Sequence, residues 1–119
     1  MDLLRMPRRP AVGQVYEMPP AYYDVTDDVG HPVLVISLDA VTRMAAIVTR
    51  TTSAHAKGEN AIVHPAQLEL GLSAVGWWRM QFPKTVPYLA FDEPDVLRRG
   101  ELDRSTWAKV LQQVEGVRK

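Results

Sequence analysis

The sequence predicts a mainly β fold, a small barrel covered by one C-terminal α-helix. Two apolar, strand-like runs dominate: GHPVLVIS over residues 30–37 and MAAIVTRTTS over residues 44–53, joined by a short connection led by Asp39. Shorter β-branched and aromatic runs follow, punctuated by proline and glycine. At the end, Trp107, Val110, Leu111 and Val114 repeat at the spacing of an amphipathic helix. A chain of 119 residues is expected to form one domain over residues 1–119, burying roughly 65 % of its unfolded surface.

Each element has a local reason. Gly13 to Glu17 follows Pro10 and alternates Val15 with polar neighbours, as a short edge strand does. Pro19, Pro20, Asp24, Asp27, Asp28 and Gly30 then read as a solvated loop of about a dozen residues. Pro32 to Leu38 is apolar and β-branched except for Ser37, the pattern of a strand covered on both faces. Met44 to Thr52 pairs with it in antiparallel fashion, favoured by Ile47, Val48, Thr49, Thr51 and Thr52. After a polar loop, SAHAKGEN, come a short strand at Ala61 to His64, an ambiguous connection at Gln67 to Ser73, and strands within Ala74 to Phe82 and Thr85 to Phe91. Asp103 or Ser105 can cap the helix, and Gly116 is placed to end it. Five or six strands are expected.

Composition removes several classes of function. Lys plus Arg and Asp plus Glu are 14 each, so bulk charge offers no attraction for nucleic acid and binding would need local clustering. No cysteine is present, which excludes disulfides, thiolate nucleophiles and cysteine-ligated metals. Three widely separated histidines give no metal spacing, and the aspartates of the 19–30 stretch lack an EF-hand pattern, so neither metal nor cofactor is expected. The N-terminus has no apolar signal region, and no run approaches the roughly 20 apolar residues of a membrane helix. A soluble, cytoplasmic protein is the expectation.

Pairing the two main runs brings His31, Arg50, Thr51 and Thr52 to one rim of the sheet. The order of segments then resembles the MazF/PemK toxins of bacterial toxin–antitoxin modules. The matching pieces are PAVGQVY against a P-x-x-G-D-V-W opening, GHPVLVIS against G-H-R-P-A-V-V-L-S, MAAIVTRTTS before a Lys-Gly loop, Gly71-Leu72-Ser73, and Gly100 to Val114 against a G-x-L segment ending in a helix. The resemblance implies an SH3-like barrel and a metal-independent, sequence-selective endoribonuclease acting on single-stranded RNA. It also implies a homodimer and a cognate antitoxin. The family's catalytic threonine falls on Thr51, whereas its arginine before the proline has no counterpart; His31 stands beside Pro32 instead.

Cleavage by the 2′-hydroxyl of RNA needs a base, an acid for the leaving group, and positive charge for the phosphorane oxygens. Histidine suits the proton transfers and arginine the charge. His31 with Thr51 ranks first, Arg50 second and Arg79 third. Alternation puts Arg50 and Thr51 on opposite faces, so a bulge or bend is expected if both are to meet one phosphate. Thr52, His55, Lys57, Trp78 and Arg79 complete the expected RNA surface, Trp78 as the exposed member of the Trp77–Trp78 pair and His55 and Lys57 on a mobile loop. Two other readings share the barrel: a non-catalytic, CcdB-like gyrase inhibitor, and an RNA-binding barrel without catalysis.

Overall fold

The computed structural model describes residues 9–19 and 31–117, and its strands curl into an antiparallel sheet around the segment 31–51. The strands are β1 (Gln14–Met18), β2 (His31–Asp39), β3 (Met44–Thr51), β4 (Ile62–His64), β5 (Gly76–Trp78), β6 (Lys84–Pro87) and β7 (Leu97–Glu101), followed by helix α1 (Arg104–Val117). Their order is β4-β5-β3-β2-β1-β7, with β6 also paired to β3. β3 changes partner along its length: Met44 to Ile47 pair with β6, and Arg50 and Thr51 pair with β5. That hand-over turns a flat ladder into a curled half-barrel.

The β2–β3 hairpin is closed by Asp39, whose Oδ1 accepts the N–H groups of Val41 at 2.9 Å and Thr42 at 3.2 Å. Those bonds hold the Asp39 carboxyl below its ordinary pKa. Two register slips sharpen the curl. Val35 faces Ile47 and Ser37 faces Ala46, leaving Ile36 as the extra residue of β2. Between β1 and β7, Val15 faces Gly100 and Tyr16 faces Arg98, leaving Arg99 over. Gly100 has φ 141°, and a Cβ there would lie 2.9 Å from Leu70 Cδ2, so only glycine fits this bend.

The central strands are covered on both sides, which accounts for their unbroken apolar runs. One core gathers Tyr16, Met18, Val33, Val35, Ile47, Val86 and Phe91. The other holds Val15, Leu34, Val48, Leu70, Trp78 and Val110, with Trp107 and Val114 of α1 packed against it. Asp103 caps the helix, its Oδ2 accepting the Thr106 N–H and hydroxyl at 3.0 Å each.

Four sequence expectations change. Seven strands are described, because Leu97–Glu101 (LRRGE), with little apolar signal, is held as an edge strand by backbone pairing to β1. The two late strands are short, and Tyr88–Asp92 is a 3-10 turn that sends Ala90 and Phe91 inward. A further 3-10 turn, Leu68–Leu70, settles the ambiguous connection. Gly116 lies within α1 rather than beyond it. The acidic stretch with Asp24, Asp27 and Asp28 lies outside the described residues.

Candidate functional site

Strand pairing alone assembles the site. The β2–β3 register ends where Val33 faces Thr49, which leaves His31 at the start of β2 and Thr51 at the end of β3 on the same rim of the sheet. Here a cavity of about 280 Å³ opens, lined by His31, Arg50, Thr51 and Thr52 on one side and by residues 71–74 on the other. The Thr51 hydroxyl accepts the Ser53 N–H at 3.1 Å, which fixes the turn out of β3.

Arg50 and Thr51 reach this cavity without the expected bulge between them. Arg50 points inward on the face of Val48 and Trp78, and is 6 % exposed. Thr51 points the other way, and the cavity, lying at the strand's end, touches both. The guanidinium is anchored on the inside: Nε donates to His64 Nδ1 at 3.1 Å, and Nη2 donates to the carbonyls of His64 at 3.1 Å, Pro65 at 3.5 Å and Ala74 at 2.8 Å. Its bond to Ala74 ties β3 to the facing wall. Gly76 is needed beneath it, since a Cβ there would stand 2.7 Å from Arg50 Cζ and Nη1 and 2.9 Å from the Thr51 carbonyl oxygen.

Among the described residues no carboxylate pairs with Arg50; its charge is met by carbonyl dipoles and one imidazole. Burial lowers the Arg50 pKa from its ordinary value, yet arginine remains charged in proteins. Among the described residues the cavity therefore carries at its inner end a cation that no carboxylate cancels, a setting that favours an anion.

Behind Arg50 the polar array continues. His64 is fully buried, stacked on Trp78 at 5.7 Å, and its Nε2 lies 2.9 Å from Gln67 Oε1 and 3.2 Å from Asp103 Oδ1. Arginine can only donate, so Nδ1 accepts and the proton sits on Nε2. Burial foremost, and the Arg50 charge, push the imidazole below its ordinary pKa, against a partial pull upward from Gln67 and Asp103. For Asp103, burial alone would raise the carboxyl; the Thr106 N–H and hydroxyl and the His64 ring outweigh it and hold it below the usual range.

The remaining expected RNA contacts are placed as follows. His55 is exposed and outside the cavity lining. Lys57 Nζ lies 5.7 Å over the Trp77 ring of β5, and Glu59 N–H donates to Gln81 Oε1 in the turn after it at 2.8 Å, so the 53–60 loop is held at both points. Arg79 stacks on Phe82 at 4.7 Å and does not line the cavity. Trp78 is the correction: it is fully buried in the second core, because it pairs with the inward-facing Arg50. Trp77 pairs with Thr51 and shares its outer face. Sequence reasoning missed Trp77, whose signal was this pairing, and His64, Gln67 and Asp103 as a connected array. Among the described residues no group of three or more His, Asp or Glu could hold a metal, and no helix is long and apolar enough to cross a membrane.

Solved structures provide the comparison. MazF of Deinococcus radiodurans matches with a TM-score of 0.62 at 18 % identity, covering 92 % of this chain and 98 % of that one. The MazE–MazF complex of the same organism matches with a TM-score of 0.61 at 18 % identity, over 93 % and 99 % of the two chains. The fold is that of MazF. A scan of protein-family models found no match, and a search of curated proteins found none either. The MazF-like fold thus rests on three-dimensional likeness over nearly the whole chain, as the segment order anticipated.

Proposed function

We propose that this chain is a toxin that cuts single-stranded RNA at selected sequences, using the 2′-hydroxyl as nucleophile and no metal, and that a MazE-like antitoxin holds it inactive. The observation that carries this reading is the cavity itself, lined by His31, Thr51, Thr52 and the buried Arg50, whose guanidinium no described carboxylate cancels. A phosphodiester is the RNA group that such a set fits. Arg50 faces the charge that grows on the non-bridging oxygens, while His31 moves the proton off the 2′-hydroxyl or onto the leaving 5′-oxygen. Thr51, its hydroxyl already ordered by Ser53, hydrogen-bonds the phosphate. The 2′-oxygen–phosphorus bond forms as the phosphorus–5′-oxygen bond breaks, and the proton lost by the 2′-hydroxyl is matched by the one the 5′-oxygen gains, leaving a 2′,3′-cyclic phosphate and a 5′-hydroxyl.

RNA flanking the cut lies across Thr52 and the outer face of β5, where Trp77 and Lys57 offer stacking and charge. Pairing as a homodimer would extend that surface, and the antitoxin's disordered tail would occupy it by folding on contact. The protein acts in the cytoplasm, where messenger RNA is its substrate.

Cleavage of a mixed-sequence RNA in EDTA tests this, with analysis of the ends. Thr51→Ala is expected to lower the rate by about 100-fold or more and His31→Ala by at least about tenfold, the range for a lost phosphate contact or proton-transfer group. Full activity in both variants would remove the assignment. Salt-dependent binding without any cut would favour a second reading, an RNA-binding barrel, which the absence of an arginine before Pro32 supports.

A further inference from the structure

The array behind the cavity has no task in the reaction just described. Arg50 enters the cavity from within the core, with Nε and Nη2 committed to His64, Pro65 and Ala74. Nη1 makes no hydrogen bond to any described residue. Stability gives little reason for a cation here, since apolar side chains of similar volume pack such a site as well or better.

We propose that His64 is a positioning residue: its Nδ1 lone pair, aimed by Gln67 and Asp103 on the far side of the ring, holds the Arg50 guanidinium with one edge toward the cavity. An anion entering there meets a cation already fixed in place, which costs no ordering of a long side chain at the moment of binding. This rests on the phosphodiester reading of the cavity. It also answers the missing β2 arginine, because the positive charge comes from β3 and from inside the barrel.

The groups facing the ring decide its state. Arg50 approaches from β3, Asp103 from the start of α1, and Gln67 from the connection after β4, while Trp78 of β5 offers an apolar face. Only the neutral ring with its proton on Nε2 satisfies both sides. Protonation would set N–H against N–H beside a second charge and release the guanidinium. Burial opposes that protonation.

The test uses the full-length, ¹⁵N-labelled protein at pH 7.5 with sulfate as probe, whose charge is constant near neutrality. Sulfate is expected to shift the Arg50 Nε–H and the amides of Thr51 and Thr52. His64→Asn keeps an acceptor where Nδ1 stands and is expected to retain sulfate affinity within about threefold, a loss smaller than one hydrogen bond. His64→Gln reaches only the Nε2 position; it is expected to weaken sulfate binding by about tenfold and to speed Arg50 Nε–H exchange, with the backbone spectrum otherwise preserved. Equal affinities in the two variants, or no shift at Arg50, overturn the proposal. So does a ring proton on Nδ1 in the wild-type ¹⁵N spectrum, which needs no variant and decides the matter even if His64→Gln fails to fold. RNA cleavage that ignores His64→Gln removes the positioning role alone. His64-dependent sulfate binding without RNA cleavage keeps that role and removes the nuclease reading.

Discussion

On one face of the β1–β3 sheet, Met18, Val33, Val35, Ile47 and Val86 meet the edge-on pair Tyr16 and Phe91, whose centroids are 4.8 Å apart. On the other, Val15, Leu34, Val48 and Val110 surround Trp78, and with them sit Arg50, His64 and Thr106, all the polar side chains described as buried. The same three strands supply both faces, residue by residue in alternation. The first face is dry and needs only shape and volume. The second spends part of its interior on polar groups whose bonds run outward to the cavity and to the helix cap, so packing and site are one structure there. Buried charge is tolerated because Arg50 finds four acceptors at once.

Truncating one large residue on each face should separate these roles. Trp78→Ala is expected to cost about 3 to 5 kcal/mol in urea unfolding, the usual range for a buried tryptophan, and to free Arg50 and His64 so that Arg50 Nε–H exchange quickens. Ile47→Ala is expected to cost about 2 to 4 kcal/mol while leaving that exchange as it is. If Ile47→Ala loosens Arg50 as much as Trp78→Ala does, the two faces are coupled and the contrast fails.

The dry face was the more legible in the sequence. GHPVLVIS and MAAIVTR carry no alternation to speak of, which is the mark of strands buried on both sides, and the helix stripe was equally plain. Its cap was open between Asp103 and Ser105, and the Thr106 N–H donating to Asp103 decides it. Alternation also assigned Arg50 and Thr51 to opposite faces correctly. It failed to bring them together only because a cavity at a strand's end is open to both faces. Trp78 could not be told from Trp77 by residue type; the pairing of β5 with β3 decides it, and pairing is non-local. For His64 the same holds with more force, as its partners lie 14 residues upstream and 39 residues downstream in Arg50 and Asp103. β7 was hidden for another reason: LRRGE owes its extension to β1's hydrogen bonds and not to its own side chains.

Acid should act on the polar face first. His64 has a folded-state pKa below its unfolded value of about 6.5, so between the two the unfolded chain binds more protons and stability rises with pH, by up to about 1.4 kcal/mol per unit. The contribution is whole above about pH 6.5 and is lost progressively as pH falls below it. Asp39 and Asp103, both held below the ordinary carboxylate pKa, lose theirs only at lower pH, as it falls from about 4 through their folded values. Urea midpoints from pH 8 to pH 5 should therefore decline in the wild type and run flatter in His64→Asn. A wild-type profile that is flat over this window would mean that His64 is not held neutral.

The smallest effect sharpens the link between helix and cavity. Asp103→Ala removes the α1 cap and is expected to cost about 1 kcal/mol, whereas Asp103→Asn, itself a good cap, should recover most of that near pH 7.5. What asparagine does not restore is the negative charge 3.2 Å from His64 Nε2, which helps the ring to take a proton. Without it the His64 pKa falls further, so the unfolded chain's excess of bound protons persists to lower pH. The gap between Asp103→Asn and wild type should thus be small at pH 7.5 and open only once the pH falls through the folded-state pKa of the wild-type His64. A gap that stays constant through the whole acid decline of the wild type would assign Asp103 to the helix alone and cut the second face's polar array off from α1.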